Sequence, residues 1–423
     1  MSPLPMVLVA YQCGPGMGSV SQIGWEWFSR LARRHPLTLV THVRNRSAIE
    51  AADALPPGAS VHYIDTEWLA RPLYGLARRL FPRSEHSVFL VSQLDFFAFD
   101  RLALRALRRL RQQGPGCEWQ LLHMVTPVTL SAPTCLHRLG LPLVRGPLNC
   151  GLGDPPGFAS VRRAESGWLW RLRALPRLLD RLLGSSAGAS ALLVASRATA
   201  AAVPLAQRAR CVDMIENAVE PDRFPAVPPL PDPGPERALE IAFVGRLVPV
   251  KGLDLLLRAM QRLQQAGRPV RLTVGGEGPM RTEWEALADE LGLRGVVRFA
   301  GRLAPHEVAA TIAACHVFCL PSVRESGGAV LLEAMACGRP VIAMDFGGPA
   351  EIVDNTIGRL VPVDGPARTV DGLEAALLDC LAHPQDWRLR GSLAQARVRE
   401  RHTWQAKIEQ AEQLYRRVLA APP

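Results

Sequence analysis

Short apolar runs alternate with segments of helical period along the second half of the chain. Leu239–Val244, Val270–Val274, Val296–Ala300, Val317–Leu320 and Pro340–Met344 read as buried strands. Leu253–Gln265, Met280–Leu291, His306–Ala314 and Ala329–Ala336 read as the helices between them, with glycines at 245, 267, 275 and 292 marking stops. Such alternation predicts a parallel sheet with right-handed crossovers. The first half repeats the theme less evenly. Strands are expected at Met6–Tyr11, Leu37–Thr41, Val61–Ile64, Leu121–Met124, Leu143–Arg145 and Ala191–Ala195, and helices at Ile23–Arg33, Asp100–Arg111 and Trp168–Leu183. The expected class is α/β, built twice.

A chain of 423 residues suits two such domains. Phe224–Pro235 holds six prolines, which lack a backbone donor and fix their own φ, so this stretch is expected to join them. The expected division is 1–223, a linker at 224–236, a second domain at 237–403, and an amphipathic last helix at 404–423 that packs back on the first domain.

Charge separates the two halves. Residues 1–230 hold 26 Arg, no Lys and 16 acidic residues, whereas residues 231–423 hold 23 basic and 23 acidic ones. The whole formal excess of +10 therefore lies in the first half. An Arg-rich coding bias explains Arg over Lys but not why the excess stops near residue 230. An anionic partner is the alternative: a membrane surface, a phosphorylated acceptor or nucleic acid. Nucleic acid is set aside, because no zinc-finger or RNP pattern is present. Nine scattered cysteines with no CxxC pair fit neither a zinc site nor a disulfide framework. Met1–Ala10 is apolar but short and has no basic start, so it reads as a first strand and not as an export signal. The expected location is the cytoplasm, with association at the cytoplasmic membrane face left open.

The polar residues of the second half gather at the carboxyl ends of its strands, where open parallel sheets bind ligands. Phe243–Leu247 ends a strand at Gly245 and is followed by Arg246 and, five residues on, Lys251. Two cations so placed suit a diphosphate, whose charge grows as its sugar departs. The segment from Pro321 to Gly338 carries Glu325, Ser326, Gly327 and Gly328 ahead of a helix that starts at Ala329 and bears Glu333. Amides at that helix start suit phosphate oxygens. Glu333 suits ribose hydroxyls and Glu325 sugar hydroxyls. A surface Arg and Lys beside a turn, and a Glu paired locally, are the plain alternatives.

Taken together, residues 239–362 resemble the family-4 retaining glycosyltransferases, the glycosyl transferases group 1. The resemblance rests on Val-Gly-Arg-Leu then Lys-Gly, on Gly275-Gly276-Glu277-Gly278-Pro279, on Leu320-Pro321-Ser322, and on Glu325 and Glu333 followed by Ala334-Met335-Ala336-Cys337-Gly338-Arg339-Pro340. It implies a GT-B fold: two facing Rossmann-like domains with parallel sheets and the active site in the cleft between them. It also implies a nucleotide-sugar donor, retention of anomeric configuration and no metal or other cofactor. The diphosphate pair maps onto Arg246 and Lys251, and the paired glutamates onto Glu325 and Glu333. The donor set is then Gly245, Arg246, Lys251, Gly276, Glu325, Ser326, Gly327, Gly328, Ala329 and Glu333. Gly327 departs from the family, which often has a larger residue there.

In the first half, Tyr11–Trp27 resembles a subgroup of that family, with a glycine loop and a Gly24-Trp25-Glu26-Trp27 ending. Gly16, Met17, Gly18 and Ser19 are the acceptor-side loop expected from it. The subgroup also places a histidine where His123 stands, as a contact to the sugar, so the expected catalytic set is Arg246, Lys251, Glu325 and His123. Arg145–Gly151 matches the subgroup's Gly-Pro segment except at Asn149 and Cys150. Arg162, Arg163, Arg171, Arg173, Arg177 and Arg181 flank Trp168, Leu169, Trp170 and Leu172, a basic amphipathic pattern that suits either a membrane surface or a solvated face.

The expected function is transfer of a hexose-type sugar from a nucleotide diphosphate to a hydroxyl of a glycan or lipid-linked acceptor, in polysaccharide, glycolipid or other glycoconjugate synthesis. A sugar-nucleotide epimerase and a non-catalytic glycan-binding module are the alternatives. A phosphorylase would hold pyridoxal phosphate on a lysine, and the chain has only Lys251 and Lys407.

Overall fold

The structure is a computed structural model and describes residues 2–52, 55–80, 93–113, 118–158 and 175–421. The chain falls into two compact units. The first is Met1–Gly151, Arg163–Glu216 and Ile408–Pro423; the second is Leu152–Arg162 and Asn217–Lys407.

In the first unit, seven strands form one parallel sheet: β1 (Met6–Ala10), β2 (Leu37–His42), β3 (Ala59–Ile64), β4 (Leu121–Thr126), β5 (Leu143–Leu148), β6 (Ala191–Val194) and β7 (Cys211–Asp213), in the order β3-β2-β1-β4-β5-β6-β7. β1, β2, β4, β5 and β6 are buried at every position, which is why they read as apolar runs and not as alternation. The helices are α1 (Ser19–Leu31), α2 (Arg46–Glu50), α3 (Glu67–Leu80), α4 (Phe96–Gln112), α5 (Leu175–Leu183) and α6 (Arg197–Ala202). α4 turns Phe96, Phe99, Ala103, Leu104 and Leu107 inward, a helical stripe that joins Trp119, Leu122 and Leu143 in one core cluster. The helix expected over Trp168–Leu183 is seen from Leu175; residues 168–174 lie outside the described set.

The second unit repeats the plan with six parallel strands: β8 (Leu239–Val244), β9 (Val270–Gly275), β10 (Val297–Gly301), β11 (Val317–Leu320), β12 (Val341–Met344) and β13 (Gly358–Val361), in the order β10-β9-β8-β11-β12-β13. Its helices are α7 (Leu253–Gln265), α8 (Arg281–Glu290), α9 (Pro305–Ala313), α10 (Ala329–Ala336), α11 (Pro349–Ile352), α12 (Pro366–Ala382) and α13 (Pro384–Arg401). α14 (Trp404–Ala420) follows, and from Ile408 onward it groups with the first unit. There the Glu412 carboxylate accepts from Arg34 Nη1 at 3.2 Å and lies 3.1 Å from His35 Nε2.

The proline-rich stretch lies differently from the linker expected at 224–236. It groups with the second unit, within the stretch Asn217–Lys407. The reason is its carbonyls. Pro228 O accepts from Arg339 Nη2 at 3.0 Å and Pro231 O is 2.9 Å from His316 Nε2, so side chains of the second unit hold this strap down. Prolines give up donors but keep acceptors, and composition alone does not show who uses them.

Candidate functional site

Both sheets reverse strand order beside their first strand, between β1 and β4 and between β8 and β11. Loops at the carboxyl ends of these strands diverge there and leave room for a ligand.

In the second unit the backbone is drawn tight around that point. Gly276 has φ 134° and donates its N–H to Gly301 O at 2.7 Å; a Cβ there would stand 1.9 Å from Gly245 O. Only glycine lets the end of β9 approach the end of β8 so closely. Gly252, at φ 59°, closes the turn Pro249–Lys251, and a Cβ on it would meet Pro321 O at 2.4 Å. The Val323 N–H donates to Val250 O at 2.9 Å, locking the basic turn to the acidic loop.

That lock brings Lys251 and Glu325 together. Lys251 Nζ donates to Glu325 Oε2, both side chains being partly buried, and the other carboxylate oxygen of Glu325 lies 3.4 Å from the Gly328 N–H. Gly328 caps α10 in the left-handed region at φ 61°. Arg246 is exposed and makes no ion pair or side-chain hydrogen bond with a described residue. Ser326 and Ala329 are exposed, while Gly327 and Gly328 are buried between them.

Glu333 stands on the second turn of α10, half-buried, its carboxylate without a hydrogen-bond partner among the described residues. Burial pushes its carboxyl up to about 7. Among the described residues no three His, Cys, Asp or Glu side chains cluster as a metal site would require.

Two further residues belong here that the sequence reading passed over. Gly347 and Gly348 follow β12, and a Cβ on either would fall 2.2 Å from Glu325 O or Ser326 O. Gly348 N–H donates to Glu325 O at 2.9 Å. The signal was available: a glycine pair just past a strand, as at Gly275–Gly276.

The first unit treats its switch point otherwise. The loop after β1 is pinned to β4, with Gln12 N–H donating to Thr126 Oγ1 at 3.0 Å and Thr126 Oγ1 donating to Gln12 O at 2.9 Å. Gly16, Met17, Gly18 and Ser19 are exposed at the start of α1, with Gly16 at φ 73° and Gly18 at φ 106°. Gly24 lets α1 lie against this loop, since a Cβ would stand 2.2 Å from Gln12 O.

His123 is not at a surface. It is fully buried on β4, edge-on to Trp27 at 4.9 Å. Its Nε2 lies 2.7 Å from Gly146 O, which only accepts, so Nε2 carries the proton. Nδ1 then accepts from the Tyr415 hydroxyl at 2.7 Å. Burial lowers its pKa to about 4. Both nitrogens are hydrogen-bonded, and the ring packs between Trp27 of α1 and Tyr415 of α14, so in this structure neither nitrogen is free to meet a sugar. Around it other buried polar groups are also hydrogen-bonded, although Arg145 Nε has no partner among the described residues. Asp95 accepts from Tyr11, Thr66 and Arg44 at 2.6–2.8 Å, and the buried Arg145 donates to Ser185 Oγ and to Thr129 O and Ala132 O.

Of the basic amphipathic segment, Arg162, Arg163, Trp168, Leu169, Trp170, Arg171, Leu172 and Arg173 lie outside the described residues, as does the side chain of Arg177. On α5, Arg181, Leu178 and Leu182 are exposed. No described helix is long and apolar enough to cross a membrane.

Two parallel α/β sheets with this strand order are what solved GT-B proteins share. Sucrose-phosphate synthase from Thermosynechococcus elongatus aligns over 99% of this chain and 100% of its own, with TM-score 0.65 and 19% identity. Anabaena HepE, solved in complex with UDP and glucose, aligns over 97% and 99% with TM-score 0.59 and 18% identity. The fold is GT-B. Within it, residues 233–392, which lie in the second unit, match the family described as glycosyl transferases group 1. Curated relatives agree. A 2-deoxystreptamine glucosyltransferase of Streptomyces kanamyceticus is 35% identical over 39% of this chain and 43% of its own length. A D-inositol 3-phosphate glycosyltransferase of Corynebacterium glutamicum is 33% identical over 48% and 53%. The chain thus spans about half the length of the curated relatives it matches.

Proposed function

We propose that the chain is a glycosyltransferase that moves a hexose-type sugar from a nucleotide diphosphate to a hydroxyl acceptor, with retention and without a metal. The observation that carries the reading is the end of β8 and β11. Arg246, whose side chain has no partner among the described residues, Lys251, paired there with Glu325, and the start of α10 lie at one switch point of the group 1 domain. The donor diphosphate takes Lys251 from Glu325 and adds Arg246, and the two cations stabilise the charge that grows as the glycosidic bond breaks. Glu325, released, accepts from sugar hydroxyls; Glu333 accepts from ribose. The departing phosphate takes the acceptor proton, so no protein base is required. HepE was solved with UDP and glucose, which makes UDP-hexoses the first donors to try.

The acceptor reading rests on charge. The Arg excess of residues 1–230 suits a phosphorylated or lipid-linked acceptor and peripheral contact with an anionic membrane from the cytoplasm. The test is a panel of sugar nucleotides scored by thermal stabilisation and then by transfer to glycan and lipid-linked hydroxyls. Stabilisation by one donor and an acceptor-dependent, chelator-insensitive transfer with retained configuration are expected. Release of free nucleotide and an isomerised sugar without acceptor would mean an epimerase, and binding without turnover a lectin-like module.

A further inference from the structure

The membrane reading above rests on summed charge. The structure offers a surface for it that is distinct from the basic segment around Trp168. α3 is 14 residues long, or about 21 Å, and of its side chains only Ala70 and Ala77 are buried. Leu69, Leu73, Leu76 and Leu80 follow one another at intervals of four, three and four, which places them along one face. In a helix covered by its own domain that stripe would be the core contact. Here Leu76 is 51% and Leu80 60% exposed, Leu69 and Leu73 are half-buried, and Trp68 is 68% exposed. Leu94, 47% exposed, extends the apolar surface from the turn Gln93–Asp95 that packs beside the helix. Arg71, Arg78 and Arg79 are exposed on the same helix, and its one acid, Glu67, is already engaged by Arg44 and Arg71.

We infer that α3 docks the protein on an anionic lipid surface, with Trp68, Leu76 and Leu80 entering the interface and Arg71, Arg78 and Arg79 meeting headgroup phosphates. A leucine stripe with an aromatic residue beside it and arginines around it is the composition of helices that lie in the plane of a bilayer. Charge complementarity selects lipid over a second copy of the chain: two copies would bring together Arg78 and Arg79 of each face, which have no acidic partner among the described residues. The inference deepens the membrane contact proposed above and is independent of the donor chemistry.

The test is co-sedimentation of the full chain with vesicles of phosphatidylcholine alone or with about one third phosphatidylglycerol, at low and high salt. Binding to the anionic vesicles only, weakened by salt, is expected. Leu76→Glu with Leu80→Glu should lower it at least tenfold, and the triple change of Arg71, Arg78 and Arg79 to Gln by roughly fivefold for each arginine that reaches the surface. UDP-sugar binding and thermal stability should not change, since all five side chains are exposed. Wild-type protein that ignores anionic vesicles overturns both this inference and the membrane contact itself. Wild-type binding that both variants retain overturns only the assignment to α3. A concentration-dependent dimer without vesicles, abolished by the leucine changes, would assign the face to self-association.

Discussion

The two sheets share a topology and differ in how they use their polar groups. At the edge between β1 and β4, Tyr11, His42, Asp95, His123 and Arg145 are buried and hydrogen-bonded to one another or to backbone. At the edge between β8 and β11, Arg246 and Glu333 have no partner among the described residues, and Lys251 and Glu325 have chiefly each other. A hydrogen-bonded buried network contributes to a unique fold, whereas a half-buried charge left without a partner costs stability until something binds it. The second edge is therefore the one at which the proposed donor has side chains left to bind.

The largest effect that would break this comparison is on turnover. Lys251→Ala should lower turnover by about 100- to 1,000-fold, the loss typical of a positioned group that stabilises transition-state charge. It should leave the fold intact, because a partly exposed ion pair is worth about 1 kcal/mol or less. Single-turnover assays and urea denaturation of the same preparation check both halves. Normal turnover would remove the diphosphate assignment. Arg246→Ala should follow the same pattern with no measurable change in stability.

The two edges should also titrate with opposite sign. The folded pKa of Glu333 is raised to about 7. Between about 4.5 and 7 the folded state keeps a proton that the unfolded state has lost, so stability falls as pH rises through that window. Glu333→Gln removes the titration. Relative to wild type it should be neutral near pH 4.5 and more stable at pH 8, by of order 3 kcal/mol as an upper bound. His123 is lowered to about 4. The unfolded state takes up its proton first, so the contribution is full above about 6.5 and is lost as pH falls toward 4. Denaturation midpoints across pH 4–8 for wild type, Glu333→Gln and His123→Gln check both signs. A flat difference for Glu333→Gln would show that its carboxyl is ionised and solvated.

Most of this was legible in the chain, for physical reasons that differ by element. α7 and α10 were read to the residue because glycines bound them and buried leucines fill them. β7 and β13 were not, since Cys211–Asp213 and Gly358–Val361 are short and carry polar residues. The proximity of Lys251, Glu325 and the start of α10 was legible because these residues stand beside glycines that let the loops close on one another. The burial of His123 was not legible, because position at a strand end does not report it. What encloses it, Trp27 and Tyr415, lies 96 and 292 residues away in sequence, and no local pattern links them.

Tyr415 gives the finest test of the comparison. Its hydroxyl is the donor that satisfies His123 Nδ1, and it arrives on α14, from the far end of the chain. Tyr415→Phe keeps the ring that packs on His123 at 5.6 Å and removes only that donor. A buried acceptor left without its partner costs about 1–2 kcal/mol, so a drop of that size in unfolding free energy is expected, with UDP-sugar affinity and turnover unchanged. If His123 instead serves the reaction, the variant should alter kcat or its pH profile while stability holds, because freeing Nδ1 would change the proton affinity of a working base. The two outcomes separate cleanly, since a packing post reports in denaturant and a catalytic group reports in rate.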